Sequence, residues 1–109
     1  MEIIAKYRTA VENVLAYLEK VSYAIPGITR VLVKDKDHYL IIRMGWSNDQ
    51  NLYSIIVHIT IVDEKIWIYT NNTEHNFEEE LIKQGVSKED IIFAEISPTQ
   101  RQALGYQVS

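Results

Sequence analysis

Three consecutive strand-like segments with no helix between them constrain the fold of this chain more than any other feature. They lie between Asp37 and Ile68 and read DHYLIIRMGW, LYSIIVHITIV and KIWI, separated by short polar breaks. Parallel neighbours in a sheet need a crossover of a dozen or more residues, which these breaks cannot supply. The region therefore predicts an antiparallel sheet.

An apolar stripe before this region predicts a long helix from about Ile3 to Val21, which Pro26-Gly27 brings to an end. The stripe is too short to indicate a coiled coil, so a helix packed on its own sheet is the preferred interpretation. Its members recur three and four residues apart: Ile4, Tyr7, Val11, Val14, Leu18 and Val21.

Shorter elements flank the three central segments. Ile28–Lys34 is β-branched and predicts a first strand, and Ile91–Ile96 predicts a fifth. Thr73 is the expected N-cap of a helix that ends at Gly85. Ser97-Pro98 is typical of the start of a last short helix. We expect a single α+β domain over residues 1–109: a long N-terminal helix packed on an antiparallel or mixed sheet of about five strands, with two to three shorter C-terminal helices.

The predicted third strand, Leu52–Val62, has two different faces. Alternate side chains of a strand point to opposite faces of the sheet. One set is fully apolar and is expected to face the helices, whereas the other is mixed and suits a partly covered face or an interface. The first set is Tyr53, Ile55, Val57, Ile59 and Ile61, and the second is Ile56, His58, Thr60 and Val62.

Composition excludes several classes of protein. The chain has 109 residues and no cysteine, which excludes disulfides and thiolate metal sites and predicts a reducing cytoplasm as its location. No apolar run approaches the roughly 18 residues that span a bilayer, and the N-terminus does not have the pattern of a signal peptide. We expect neither a membrane nor secretion.

The charge distribution argues against direct nucleic-acid binding. The formal net charge is −4, and the segment Glu74–Glu95 carries seven acidic side chains against two lysines. Autonomous DNA binding normally needs a strongly basic face, which the sequence lacks. An acidic balance favours a protein partner with a basic surface.

No catalytic constellation is present. The three histidines, His38, His58 and His75, are not at metal-binding spacings in the sequence, and no glycine-rich phosphate loop or nucleophile elbow occurs. A hydrogen-bonded structural or interface role is the preferred interpretation of His58. The sequence thus predicts no catalytic residue, no metal site and no cofactor, and an enzyme is the least favoured class.

Aromatic side chains and one arginine supply the candidate binding residues. Trp46 and Trp67 lie on strands predicted to be close together, and so do two tyrosines. Stacking on nucleotide bases needs interleaved basic residues, which are scarce here, so core packing or a protein interface is favoured. Arg101, in SPTQRQALGY, has two interpretations: an internal ion pair, or an anchor for a partner's carboxylate. The hypothetical partner-binding set is Trp46, Trp67 and Arg101.

Taken together, the segments resemble the XisI family, small cyanobacterial proteins called fdxN-element excision controlling factors. The matching pieces cover nearly the whole chain in order: DHYLIIRMGW at 37–46, VHITIVDEKIWI at 57–68, TE at 73–74, ELIKQGVSKEDIIF at 80–93 and SPTQRQALGYQV at 97–108. The family usually has Asp-Gly where this chain has Asp63-Glu64. Because a two-residue type I′ turn favours glycine, we expect this hairpin to use a different turn.

The resemblance implies a regulator rather than a catalyst. The family's namesake is required, with a companion protein called XisH, for excision of a DNA element by a separate recombinase, and XisH-like proteins resemble nucleases in fold. Many relatives occur where that element is absent, so the more general role implied is control of an XisH-like protein. We therefore expect a non-catalytic controlling factor that binds an XisH-like protein, with a homo-oligomer as a further possibility. The alternatives are an antitoxin-like module that neutralises a nuclease-like partner, and a small-molecule-binding domain that uses the aromatic sheet face.

Overall fold

The computed structural model describes residues 2–20, 27–73 and 75–108. Within these ranges, three α-helices and one 3₁₀ turn, Lys88–Asp90, accompany one sheet. The helices are α1 (Glu2–Lys20), α2 (Phe77–Lys83) and α3 (Pro98–Ala103). The strands are β1 (Ile28–Asp35), β2 (His38–Ser47), β3 (Gln50–Asn51), β4 (Ser54–Val62), β5 (Lys65–Asn71) and β6 (Ile91–Phe93).

The sheet is mixed, in the order β1-β2-β4-β5-β6, with β3 paired to β2. The pairs β1–β2, β2–β3, β2–β4 and β4–β5 are antiparallel, as the short breaks predicted. Strand β6 runs parallel to β5, and the chain between them contains α2, which supplies the crossover that a parallel pair requires. The predicted α+β class and mixed sheet are confirmed, with six strands in the described residues instead of about five.

Helix α1 covers one face of the sheet and forms the main core with it. Along α1 the stripe residues Tyr7, Val11 and Leu18 are almost fully buried, as the periodicity predicted. Full burial of such a side chain stabilises a fold by about 1.5–3 kcal/mol, so this layer is the main source of stability. The sheet contributes Tyr39, Ile41, Val57, Ile59, Ile61, Ile66, Ile68 and Ile91 to the same core.

The prediction for the faces of β4 is wrong at its first half. A β-bulge shifts the register between β2 and β4, so that Ile41 opposes Val57 while Ile42 opposes Ile55. A bulge inserts an extra residue and reverses the alternation beyond it. Ile55, expected on the helix face, therefore lies on the opposite one and is 45% exposed, whereas Ile56 is buried.

Several element ends also differ from the predictions. The N-cap of α2 is Asn76, whose side chain accepts a hydrogen bond from the Glu79 N–H, and Thr73 instead lies in a turn with Asn71. The strand after α2 ends at Phe93, three residues early. The N-cap at Ser97 is as predicted, and its hydroxyl accepts from Gln100 N–H. The predicted helix end at Val21 and the Pro26 break lie outside the described residues.

The turn Asp63-Glu64 has the type I′ geometry that its lack of glycine argued against. Asp63 has φ 53° and Glu64 φ 61°, both left-handed. A left-handed residue other than glycine costs about 1–2 kcal/mol. The two-residue connection between twisted antiparallel strands requires this geometry whatever the side chains are.

Substituting Glu64→Gly should therefore stabilise the protein. We expect a gain of about 0.5–1 kcal/mol in the free energy of unfolding, measured by urea denaturation, because glycine adopts positive φ without strain. The matched control is Lys65→Gly, which places glycine at the first position of β5, where φ is not positive, and should destabilise. A loss of stability in Glu64→Gly would contradict the turn assignment.

Candidate partner-binding surface

The sheet face opposite α1 is the part of the molecule best suited to binding another macromolecule. Side chains of directly opposed residues share a face, and the ladders pair Val31 with Ile42, Val33 with Leu40 and Thr60 with Trp67. We call this side the open face. Its described members on the central strands are His38, Leu40, Ile42, Met44, Ile55, His58, Thr60 and Val62.

The open face is apolar and largely accessible. Val33, Met44 and Ile55 are 37%, 37% and 45% exposed, and Val62 and Tyr69 are exposed to a similar degree. The largest apolar patch on a typical monomer is about 300–600 Å², and patches of this kind mark interaction sites. Its central members on β2 and β4 include no lysine, arginine, aspartate or glutamate, so a partner is recognised there mainly by shape and apolar contact.

Trp46 lies at the end of β2 that follows Met44 and is the most accessible tryptophan, with 64% of its surface exposed. It begins a tight hairpin with β3, in which Asn48 and Asp49 both have positive φ. Gly45 before it has φ +142°, and a Cβ there would lie 1.9 Å from the Gly27 carbonyl oxygen. Only glycine allows β1 and β2 to approach in this way, so the backbone fixes where Trp46 projects.

Tyr53 adjoins this hairpin at the start of β4 and is 66% exposed. Aromatic side chains contribute about 150–250 Å² each when fully covered, and tryptophan and tyrosine are enriched among residues that dominate binding energy. The two rings extend the open face with the side-chain types that protein interfaces favour. Trp46 was among the predicted partner-binding residues, whereas Tyr53 was predicted on the core face and is instead exposed.

A polar cluster occupies the other end of the open face. His38 Nδ1 and His58 Nε2 are 3.3 Å apart, and the Thr60 hydroxyl oxygen lies 3.0 Å from the first nitrogen and 3.3 Å from the second. The Tyr69 ring stacks at a tilt on His58, with centroids 5.3 Å apart. Thr60 is only 4% exposed and has its hydroxyl satisfied here. No spacing along the chain indicates this pair, because it is the register between two strands that brings the histidines together.

Burial, together with the adjacent His38 ring, lowers the pKa of His58 below its ordinary value of 6.5. The folded chain therefore takes up a proton at His58 less readily than the unfolded chain. The stabilising contribution of the neutral ring is complete above the unfolded-state pKa, and it is lost as the pH falls below that value towards the lower folded-state pKa.

Stability should consequently decline from about pH 7.5 to about pH 5.5 more steeply in the wild type than in His58→Gln. The measurement is the free energy of unfolding across this range by denaturant titration. The matched control is His75→Gln, because His75 contacts Tyr17 on the other side of the molecule, and its slope should equal that of the wild type. Equal slopes for His58→Gln and the wild type would refute the assignment.

Arg101 lies inside its own fold. The residue is 5% exposed, and its guanidinium donates hydrogen bonds to the carbonyl oxygens of Phe93, Ile96 and Val108. Its Cζ lies 6.0 Å from the centroid of Trp67. The side chain thus connects α3, the end of β6 and the C-terminal segment over the β5–β6 part of the open face. Backbone carbonyls take the place of the carboxylate that an internal ion pair would need.

Trp67 is half-buried beneath this arginine, in contrast to Trp46. The structure therefore does not bring the three predicted partner-binding residues together as one exposed set. Trp46 lies at one end of the sheet, and Trp67 with Arg101 lies at the side covered by α3. A contact of Trp67 or Arg101 with a partner stays a prediction.

A charged groove separates α1 from the β1–β2 hairpin. Arg8 binds Asp37 through Nε and Nη2 at 2.7 and 3.0 Å, and Lys34 Nζ binds Glu12 Oε2 at 2.9 Å. Tyr39 lines the groove, and burial, with the nearby carboxylates, raises its pKa to about 12. The groove is lined mainly by charged side chains, four of them in these two ion pairs. Small-molecule sites are mostly apolar, so the groove does not favour the small-molecule alternative.

The described residues include no group of three or more histidine, cysteine, aspartate or glutamate side chains that could hold a metal ion. Within the same residues, no helix has the length and apolar character needed to cross a membrane.

A long helix on one side of a mixed sheet, with the other side apolar and exposed, defines a class of small α+β proteins that present a sheet face. The model of the family described as XisI protein matches residues 1–108. The chain belongs to the XisI family.

Two crystal structures from Anabaena variabilis ATCC 29413 share the fold. A XisI-like protein superposes with a TM-score of 0.88 at 31% sequence identity, covering 96% of this chain and 98% of that one. The fdxN element excision controlling factor XisI superposes with a TM-score of 0.81 at 23% identity, covering 98% and 99%. No curated protein matches the chain.

Proposed function

We propose that this protein is a non-catalytic controlling factor of the XisI type that acts in the cytoplasm by binding an XisH-like protein. One observation carries the proposal: the open face, from Val33 to Trp46 across the sheet, is exposed and apolar and ends in accessible aromatic rings. Such a surface is costly to leave in water, and it has the composition of an interface centre. The structural similarity to a protein described as an excision controlling factor supports a controlling role of this kind.

Charge supports the choice of partner. The segment Glu74–Glu95 is strongly acidic, and Glu78, Glu79 and Glu80 follow one another on α2. XisH-like proteins, as the family resemblance implies, have a nuclease-like fold, which binds nucleic acid through a basic groove. An acidic protein is attracted to such a groove, which accelerates association and favours the correct partner. The apolar open face then supplies the affinity.

The direct test is co-expression with an XisH-like protein, followed by affinity capture of the tagged XisH-like protein. We expect a stable complex in which the two chains elute together in size-exclusion chromatography. The chain alone provides the control for self-association, since a second copy is another occupant of the open face. Absence of a complex, with both proteins folded, would remove the proposal.

The antitoxin-like alternative predicts the same complex but a different consequence. The acidic segment favours it as a second candidate, because an acidic protein can occupy a nuclease groove and block nucleic acid. Measuring the nuclease activity of the XisH-like protein with and without this chain separates the two functions. Inhibition without any effect on excision of a DNA element would favour neutralisation.

A further inference from the structure

Three polar atoms on the open face form a nearly equilateral triangle. Its corners are His38 Nδ1, His58 Nε2 and Thr60 Oγ1, and its sides measure 3.0, 3.3 and 3.3 Å. Register explains the arrangement, because His38 opposes Thr60 and Leu40 opposes His58, which places the two rings diagonally across adjacent strands. Two paired strands in the middle of the sheet hold all three side chains.

The triangle has the dimensions of a metal-ligand set. Zinc binds histidine nitrogen at about 2.0–2.1 Å in tetrahedral geometry, which separates neighbouring ligand atoms by about 3.3 Å. We propose that His38 and His58 bind one divalent transition-metal ion, for which Zn²⁺ is the reference, with the Thr60 hydroxyl beside it and solvent completing the coordination. This site is independent of the proposed partner.

Metal binding at this site requires one of the two histidine rings to change its tautomer. Metal binding needs both facing nitrogens to be unprotonated. In the metal-free chain one ring N–H and the Thr60 O–H supply two donors for hydrogen bonds among the three atoms. When the ion binds, the proton of that ring moves to its other nitrogen, so both imidazoles stay neutral.

The surroundings define which ions fit. Imidazole ligands suit Zn²⁺, Cu²⁺ and Ni²⁺, whereas Mg²⁺ and Ca²⁺ prefer sets of oxygen ligands. Because the described residues hold no larger ligand group, the site is a two-histidine site with open coordination positions. The Tyr69 ring stacked on His58 limits rotation of that imidazole, which reduces the cost of ordering the ligand.

The test is calorimetric titration of the tag-free full chain with ZnCl₂ at about pH 7.5. We expect one ion per chain. His38→Gln and His58→Gln should each weaken binding by at least about tenfold, and Thr60→Val should have a smaller effect. His75→Gln is the matched control and should bind like the wild type, since His75 lies against Tyr17 with centroids 6.2 Å apart.

Imidazole NMR provides a second readout that does not depend on the variants. Zn²⁺ should move the ring resonances of His38 and His58 and leave those of His75 unchanged. The proposal is overturned if no binding occurs up to about 1 mM Zn²⁺, or if the doubly substituted chain, folded by circular dichroism, binds as tightly as the wild type. Equal perturbation of all three histidines would likewise identify adventitious binding.

Discussion

Arg101→Ala is expected to lower the free energy of unfolding by about 2–4 kcal/mol. The substitution removes a buried guanidinium that donates to three backbone carbonyls, those of Phe93, Ile96 and Val108. Hydrogen bonds from charged groups contribute about 1.5–3 kcal/mol to the free energy of unfolding. Leaving the buried carbonyls without a donor destabilises the fold further, because they were desolvated on folding. The stacking on Trp67 is lost as well. Urea denaturation followed by circular dichroism measures the change.

Two variants separate the role of this side chain from that of its helix. Gln102→Ala changes the neighbouring exposed residue of α3 and should alter stability by less than about 0.5 kcal/mol. Arg101→Lys keeps the charge but not the planar fork, so it should recover only part of the loss. If Arg101→Ala is as stable as the wild type yet fails to bind the XisH-like protein, the arginine contacts the partner, as first hypothesised, and the structural assignment is wrong.

Trp46→Ala should weaken binding of the XisH-like partner by about 30-fold or more, equivalent to about 2 kcal/mol. The ring is 64% exposed at the end of the apolar face, and tryptophans in that position are typical anchors of interfaces. Because the side chain contributes little to the core, the stability of the free chain should hardly change. Biolayer interferometry with immobilised partner measures the affinity.

The matched control is Tyr17→Ala. Tyr17 is also an exposed aromatic residue, at 55%, but it lies on α1, on the side of the molecule away from the open face. Its removal should leave the affinity within about threefold of the wild type. Equal losses for the two variants would show that exposed aromatic rings in general, rather than the open face, mediate the contact.

The order of elements and the core could be predicted from the sequence because they depend on local periodicity. The three-four spacing of the stripe in α1 and the short breaks around β2, β4 and β5 each have one good structural solution. The position of β6 beside β5 was not predictable in direction, since either orientation suits a short apolar strand. Its parallel pairing depends on where α2 packs.

The open face was less predictable because a β-bulge changes its membership. Strict alternation assigned Ile55 to the core, whereas the register shift opposite Ile42 exposes it. No residue type in the strand indicates that a bulge is present. The His38–His58 contact was not predicted for a related reason. The two residues are twenty positions apart, and their contact can be predicted only when the register of the two strands is known.

Arg101 shows a different limit. Its sequence context suggested either an ion pair or a partner's carboxylate, whereas in the structure its two terminal nitrogens donate to three carbonyls at the end of its own fold. Every residue has a backbone carbonyl, so residue types do not show which carbonyls accept from an arginine. The burial of Arg101 could therefore not be predicted from its sequence context. The turn at Asp63-Glu64 likewise follows from strand geometry rather than from its own side chains.

The most direct test of the central claim is methyl NMR of the isoleucine- and valine-labelled chain titrated with an XisH-like protein. The account predicts that methyl resonances on the open face, such as those of Val33 and Ile55, shift or broaden on binding. Ile3 and Ile82, which are comparably exposed on helices α1 and α2, should not respond. Perturbation confined to those helical residues, or none at all at saturating partner, would contradict docking through the sheet face.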